Sequence, residues 1–147
     1  MLTVALLLTG CDRKTVYSHY EPTTTDGWEK CDSLTYTIAP LPEEGRYEET
    51  IGLRINCRYP FTGLSLVIDQ HIFPSGRHYI DTLHAKLIDS DGTIQGQGIS
   101  YFQYNFLLRQ LSLQADDSLH VCIRHLMKRE ILPGVSDIGF SLTRQDS

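Results

Sequence analysis

Apolar and polar residues alternate along much of the chain after Trp28, with the two-residue period of strands that bury one face. In the segment YEETIGLRINCRY the alternate apolar positions are Ile51, Leu53, Ile55 and Cys57. In the segment SLTYTIAP they are Leu34, Tyr36 and Ile38. The alternation predicts strands that point these side chains, Cys57 included, into a common core.

The same period predicts two more strands near the C-terminus. One carries Leu119, Val121 and Ile123 on a single side, and the other carries Ile138, Phe140 and Leu142. The dense apolar segment from Phe106 to Leu113 leaves a short helix open as an alternative to a strand.

Turn sequences separate the predicted strands. In PSG, Gly76 is expected to take a positive φ angle, and in SDGT the pair Asp91 and Gly92 indicates a hairpin turn. About eight short strands separated by such turns predict an all-β fold. The expected architecture is an antiparallel β-sandwich, either a jelly-roll or an immunoglobulin-like one.

The apolar run from Met1 to Leu8 is shorter than the roughly 20 residues that a membrane-spanning helix needs. Thr9, Gly10 and Cys11 follow Leu8 directly, and the order Leu8, Thr9, Gly10, Cys11 resembles the lipobox of bacterial lipoprotein signals. The resemblance implies cleavage before Cys11 and a lipid on its thiol. Because no Lys or Arg precedes the run, a start upstream of this Met stays open.

Three parts of the chain follow from these signals. Residues 1–10 are expected to be the signal peptide, and residues 27–147 the β-sandwich domain. Between them, residues 11–26 are expected to form the lipidated Cys and an extended tether, because they contain Pro22 and three successive threonines.

The 147 residues, 41% of them hydrophobic, are enough for one globular domain with a core. A formal net charge of -5 and the lack of a sizeable basic cluster argue against nucleic-acid binding. Once Cys11 is acylated, the odd number of remaining cysteines cannot all pair. By parity Cys57 is expected to point inward and Cys122 outward, which argues against a bridge between them.

Histidines raise the question of a metal site, since neutral imidazole is a common ligand. His120 and His125 are an odd step apart and would lie on opposite faces of one strand. DSDG, which starts at Asp89, resembles a calcium loop, but Ser100 stands where the bidentate Glu is required. With no G-x-S-x-G motif either, we predict no metal, no cofactor and no catalytic residues.

Aromatic residues cluster in the segment YFQYNF. Phe102, Tyr104 and Phe106 share one parity and are expected to fill the core. Tyr101 and Gln103 would then be exposed, and they form the predicted interaction surface. An exposed aromatic side chain suits a protein contact or the stacking of a sugar.

Several segments together resemble the gliding motility lipoprotein GldH family of Bacteroidetes. They are CRYPFTGLSLVI, IDTLHAKL, DGTIQGQG and HLMKREILPGVSDIGFSL, and the resemblance extends from about Tyr17 to Leu142. It implies a non-catalytic, anchored lipoprotein of the cell envelope that acts by binding an envelope protein partner. We expect the lipid on Cys11 to hold it in the outer membrane. The alternative is a sandwich that binds a carbohydrate or another small ligand at the cell surface.

Overall fold

The computed structural model describes residues 14–24, 26–88 and 101–145, and these form ten β-strands. No helix occurs in these three ranges, so none of them holds a helix able to cross a membrane. The segment from Phe106 to Leu113 is strand, not helix. The strands are β1 Lys14–Pro22, β2 Trp28–Glu29, β3 Leu34–Ile38, β4 Gly45–Asn56, β5 Gly63–Phe73, β6 Arg77–Lys86, β7 Tyr101–Leu113, β8 Ser118–His125, β9 Ile131–Leu132 and β10 Val135–Gln145.

Eight of the strands form two four-stranded antiparallel sheets. The first sheet has the order β1-β10-β4-β7 and the second has the order β3-β8-β5-β6, while the two-residue strands β2 and β9 pair separately. Counted in chain order, the eight long strands pair the first with the last (β1–β10), the second with the seventh (β3–β8), the third with the sixth (β4–β7) and the fourth with the fifth (β5–β6). This rolled-up double ribbon is the jelly-roll, the first of the two predicted sandwich types.

The core lies between the two sheets and follows the predicted alternation. From the first sheet it contains Ile51, Leu53, Ile55, Ile138, Phe140 and Leu142, all buried. From the second it contains Leu34, Tyr36, Ile38, Leu119, Val121 and Ile123. The Tyr36 hydroxyl donates a hydrogen bond of 2.5 Å to the backbone oxygen of Ile138, which joins the two sheets through the core.

His125 is a buried polar residue of the core, on the face of β8 opposite to His120. Its Nε2 donates to the backbone oxygen of Trp28 at 2.9 Å, and its Nδ1 accepts the Met127 backbone N–H at 3.3 Å. The Trp28 ring meets the imidazole edge-on, with 5.2 Å between centroids. Burial lowers the pKa of His125, so the imidazole is held neutral.

A polar cluster interrupts the apolar interior beside the edge formed by β6 and β7. The Gln70 amide donates a 2.8 Å hydrogen bond to Glu49, and both side chains are fully buried. Arg109 lies opposite Glu49 in the sheet, 3.6 Å from the Asp81 carboxylate and with its guanidinium over the Tyr79 ring. Burial is the largest influence on Glu49 and raises its pKa to about 7.

Two predictions are corrected. Lys14–Pro22 is not a tether, because its backbone pairs with β10 as an edge strand of the first sheet. An irregularity in register between Thr15 and Tyr17 breaks the alternation that marks the other strands. Cys57 does not point inward, because β4 ends at Asn56 and Cys57 lies exposed in the following turn.

The other turn and cysteine predictions fall either within or outside the described residues. Gly76 has a φ of 78°, as the PSG turn requires. Cys31, Cys57 and Cys122 form no disulfide. The signal peptide, Cys11 and the hairpin turn at Asp91 and Gly92 lie outside the described residues and stay predictions.

Candidate interaction face

Tyr20 lies flat on the outer surface of the first sheet. In the strand register Tyr20 stands opposite Gly139, which stands opposite Gly52, so the three residues form one row across β1, β10 and β4. A Cβ on Gly139 would meet the Tyr20 ring at 2.7 Å, and one on Gly52 would meet it at 2.8 Å. Only glycine at both positions lets the ring rest on the backbone.

Arg54 covers the other face of this ring. Its guanidinium carbon is 3.9 Å from the ring centre, a cation–π contact. Its Nε donates to Gln103 Oε1 at 2.8 Å, and its Nη1 donates to Asp137 Oδ2 at 3.2 Å. Gln103 Nε2 in turn donates to the Tyr20 hydroxyl at 2.7 Å. We call Tyr20, Arg54, Gln103 and Asp137 the platform.

The platform is ordered by several contacts at once. An ion pair as exposed as that of Arg54 and Asp137 contributes at most about 1 kcal/mol to stability. Together with the ring contact and the Gln103 hydrogen bonds, however, it holds the long Arg54 side chain in one position. Because these side chains are already ordered, a partner that binds this surface loses less side-chain conformational entropy on binding, which favours affinity.

Tyr101 lies beside the platform and lines an open cleft of about 890 Å³. Its side chain is 60% exposed. The cleft is also lined by Asp26, Asn56, Arg58, Ser136 and Asp137, and Asp137 is shared with the platform. Platform and cleft therefore form one continuous surface, which combines an exposed aromatic ring with charges of both signs.

The predicted surface residues are thus both on this face, in different roles. Tyr101 is the exposed one, whereas Gln103 is partly buried because its amide joins Tyr20 to Arg54. Tyr104 is buried as expected, and Phe102 and Phe106 pack partly buried against the core.

Sequence reasoning missed Tyr20 and Arg54, which are distant in the chain and meet only through the sheet register. The signal that could have found them is a glycine in the middle of each of two strands. Gly52 and Gly139 mark a place where another group approaches the backbone closely.

This face lies far from the N-terminal end of β1. Lys14 begins the strand and Pro22 ends it, which at about 3.3 Å per residue places the two ends roughly 26 Å apart. Tyr20 and the cleft residue Pro22 are both at the far end. Any attachment through the residues before Lys14 is therefore made at the opposite end of β1 from the candidate face.

One group among the described residues has donor atoms placed to hold a metal ion. It consists of Asp69, His71 and His78, on the outer face of the second sheet, with donor atoms within 4.8 Å of one another. His120 and His125 are on opposite faces of β8, as predicted, and His84 bonds to Ser65. The sequence alone did not reveal the group, because His71 and His78 meet only through the register of the hairpin, which the sequence does not show.

Comparison with known proteins gives a family match over most of the chain. The model of the GldH lipoprotein family matches residues 15–142. A relative from Flavobacterium johnsoniae, named as gliding motility lipoprotein GldH, is 28% identical over an alignment that covers 99% of this chain and 95% of the relative.

Solved structures share only a distant likeness. A family GH115 4-O-methyl-α-glucuronidase matches with a TM-score of 0.48 and 13% identity, over 92% of this chain and 18% of the enzyme. A family 35 carbohydrate binding module from Clostridium thermocellum matches with a TM-score of 0.42 and 10% identity, over 84% of this chain and 87% of the module. Scores this low carry no argument about function.

Proposed function

This chain belongs to the GldH lipoprotein family, and we propose that it is a motility-associated lipoprotein that acts by binding an envelope protein and catalyses no reaction. Family membership supports a lipid-anchored protein of the cell envelope. The relative's name as a gliding motility lipoprotein supports the association with motility. The resemblance seen in the sequence is confirmed by both comparisons.

The proposed anchor is a lipid on Cys11, after cleavage of residues 1–10. Only residues 12 and 13 separate Cys11 from Lys14, where β1 begins. Three residue steps reach at most about 11 Å even when fully extended. The Lys14 end of the sandwich therefore lies close to the bilayer, which we take to be the outer membrane, and the platform and cleft lie towards the other end of β1.

Replacing Cys11 tests the anchor. We expect Cys11→Ala to leave the membrane fraction, because a thiol is needed to carry the lipid. Cys57→Ala, a matched change at an exposed cysteine, should leave the protein in the membranes. Cys11→Ala that stays with the membranes would contradict the anchor, and a wild-type protein in the inner-membrane fraction would contradict the outer-membrane location.

The observation that carries the binding proposal is the ordered pair of Arg54 and Tyr20 beside the exposed Tyr101 ring. Arginine and tyrosine are enriched among the residues that dominate binding energy at protein interfaces. Here contacts hold the arginine in place, the tyrosine ring of residue 101 is exposed and can be covered by a partner, and both lie at the end of the first sheet remote from the proposed anchor.

Co-purification from solubilised native membranes tests this proposal. We expect a discrete envelope protein to accompany the wild type, and its recovery to fall strongly with Tyr101→Ala or Arg54→Ala. Thr37→Ala, an exposed change on the outer face of the second sheet, is the control and should retain the partner. Equal recovery with all variants would contradict the proposal that this face binds the partner, and no partner with the wild type would contradict a protein-binding role.

The cleft favours a second candidate function, the binding of a carbohydrate or another small ligand. Tyr101 offers an exposed ring next to Asp26, Asn56 and Arg58, as such sites require. Tyr20 offers none, because glycine backbone covers one face of its ring and Arg54 covers the other. Glycan-array binding that Tyr101→Ala abolishes, without a co-purifying protein, would favour this second function.

A further inference from the structure

His71 and His78 face each other across the β5–β6 hairpin, on the outer surface of the second sheet. They are direct partners in the strand register. Their rings stack 4.0 Å apart and are tilted by only 9°. Asp69 lies two residues before His71 and therefore on the same face; its Oδ1 is 2.5 Å from His78 Nε2 and 3.9 Å from His71 Nδ1.

The neighbouring strand adds further donor groups to this face. On β8, His120 stands opposite His71, and Cys122 stands opposite Asp69. His120 Nε2 and Cys122 Sγ are 3.7 Å apart. Three adjacent strands thus place three imidazoles, one carboxylate and one thiol on a single surface, where soft and borderline metal ions find their preferred ligands.

We propose that Asp69, His71 and His78 form a binding site for a divalent transition-metal ion, with Zn²⁺ as the ion that the donor set suits best. Two imidazole nitrogens and one carboxylate oxygen are a common zinc ligand set, and the fourth tetrahedral position is left to water. The ion takes the place of the proton that His78 now shares with Asp69.

The geometry needs only side-chain movement to bind the ion. The three donor atoms already lie within 4.8 Å of one another. The side chains of His71, His78 and Asp69 are 43%, 42% and 39% exposed, so they can turn towards a common centre without disturbing the core. Because the ligands come from both strands of the hairpin, the ion also ties β5 to β6.

The proposed site is independent of the binding face. It lies on the outer surface of the second sheet, whereas the platform lies on the outer surface of the first. Failure of one proposal therefore leaves the other standing.

Zinc titration by calorimetry tests the site on the full-length protein, purified in detergent without a polyhistidine tag. Cys31 and Cys57 are both exposed and should be replaced by Ser, because exposed thiols bind zinc on their own. We expect one equivalent of zinc to bind at about pH 7.5, and the melting temperature to rise with zinc. His71→Gln or His78→Gln should weaken binding at least about tenfold.

His84→Gln is the matched control, because His84 is exposed on the same face of β6 outside the group. Its zinc affinity should equal that of the background protein. The proposal is overturned if no saturable binding occurs up to about 1 mM zinc. It is equally overturned if His71→Gln and His78→Gln bind as tightly as the background, or if His84→Gln weakens binding as much as they do.

Discussion

The Arg54 guanidinium carbon lies 3.9 Å from the centre of the Tyr20 ring, while the opposite face of that ring rests on Gly52 and Gly139. A single exposed cation–π contact contributes only about 0.5–1 kcal/mol. Its value here is geometric, because ring, guanidinium and Gln103 amide hold one another in place. The first sheet thus presents an ordered polar and aromatic surface before any partner arrives.

The first prediction concerns Gly139, on whose backbone the Tyr20 ring packs. A Cβ at residue 139 would stand 2.7–2.9 Å from three atoms of the Tyr20 ring, closer than packed atoms approach. We therefore expect Gly139→Ala to lower the free energy of unfolding by about 1–3 kcal/mol, as overpacking does elsewhere. Urea denaturation measures the change.

A double-mutant cycle supplies the control for this prediction. In a Tyr20→Ala background the ring is gone, so the cost of Gly139→Ala should shrink to less than about 1 kcal/mol. If Gly139→Ala costs the same with and without the Tyr20 ring, the ring does not rest on this glycine.

The second prediction concerns the buried acid Glu49, whose pKa is raised from 4.5 to about 7. As pH rises through this interval, the unfolded chain loses its proton first and the folded protein retains it. The folded state then binds more protons, so the free energy of unfolding falls between about pH 4.5 and 7. The loss amounts to roughly 3 kcal/mol and is complete above pH 7.

Glu49→Gln keeps an oxygen to accept the Gln70 hydrogen bond and removes the charge. We expect this variant to gain stability over the wild type at about pH 8 and to show little difference at about pH 5. Glu29→Gln, at an exposed position, serves as the matched control and should follow the wild type. Parallel pH profiles for Glu49→Gln and wild type would show that Glu49 titrates normally.

The third prediction concerns His125, whose pKa is lowered by burial. Below about pH 6.5 the unfolded chain takes up a proton that the folded protein excludes, so this residue makes stability fall as pH falls. The sign is opposite to that of Glu49, and measuring in a Glu49→Gln background isolates it.

His125→Gln should abolish the fall in stability that protonation of the unfolded chain's His125 causes at acid pH. Near neutral pH the variant should be less stable than its background by about 1–3 kcal/mol, because the contact with Trp28 is lost. His84→Gln, at an exposed histidine, should change neither the stability near neutral pH nor its fall at acid pH. If stability falls at acid pH as steeply in His125→Gln as with His125 present, the imidazole is not held neutral in the folded protein.

Much of the fold could be predicted from the sequence, because burial of one face imposes a two-residue period. The inward residues of β3 and β8 follow that period without exception, and so do those of β4 as far as Ile55 and of β10 from Ile138 to Leu142. Val135 is buried out of step with them, because the register of β10 is irregular between Val135 and Asp137. Cys57 continues the pattern in the sequence but lies past the end of the strand. Periodicity tells which face a residue takes and not where a strand stops.

The features that escaped prediction depend on contacts between distant strands. β1 pairs along an edge with an irregular register, so its own alternation is weak. Tyr20 and Arg54 meet only because β1, β10 and β4 align, and His71 meets His78 only because of the hairpin register. A single sequence does not show register, and functional surfaces on sheets are built from it.

Site-specific photocrosslinking in native cells tests the central claim most directly. A photoreactive residue in place of Tyr101 reports on the candidate face, which is remote from the proposed anchor, and one in place of Thr37 reports on the second sheet. The account predicts that position 101 crosslinks to one discrete envelope protein while position 37 does not. No crosslink at position 101, or the same crosslink at both positions, would contradict it.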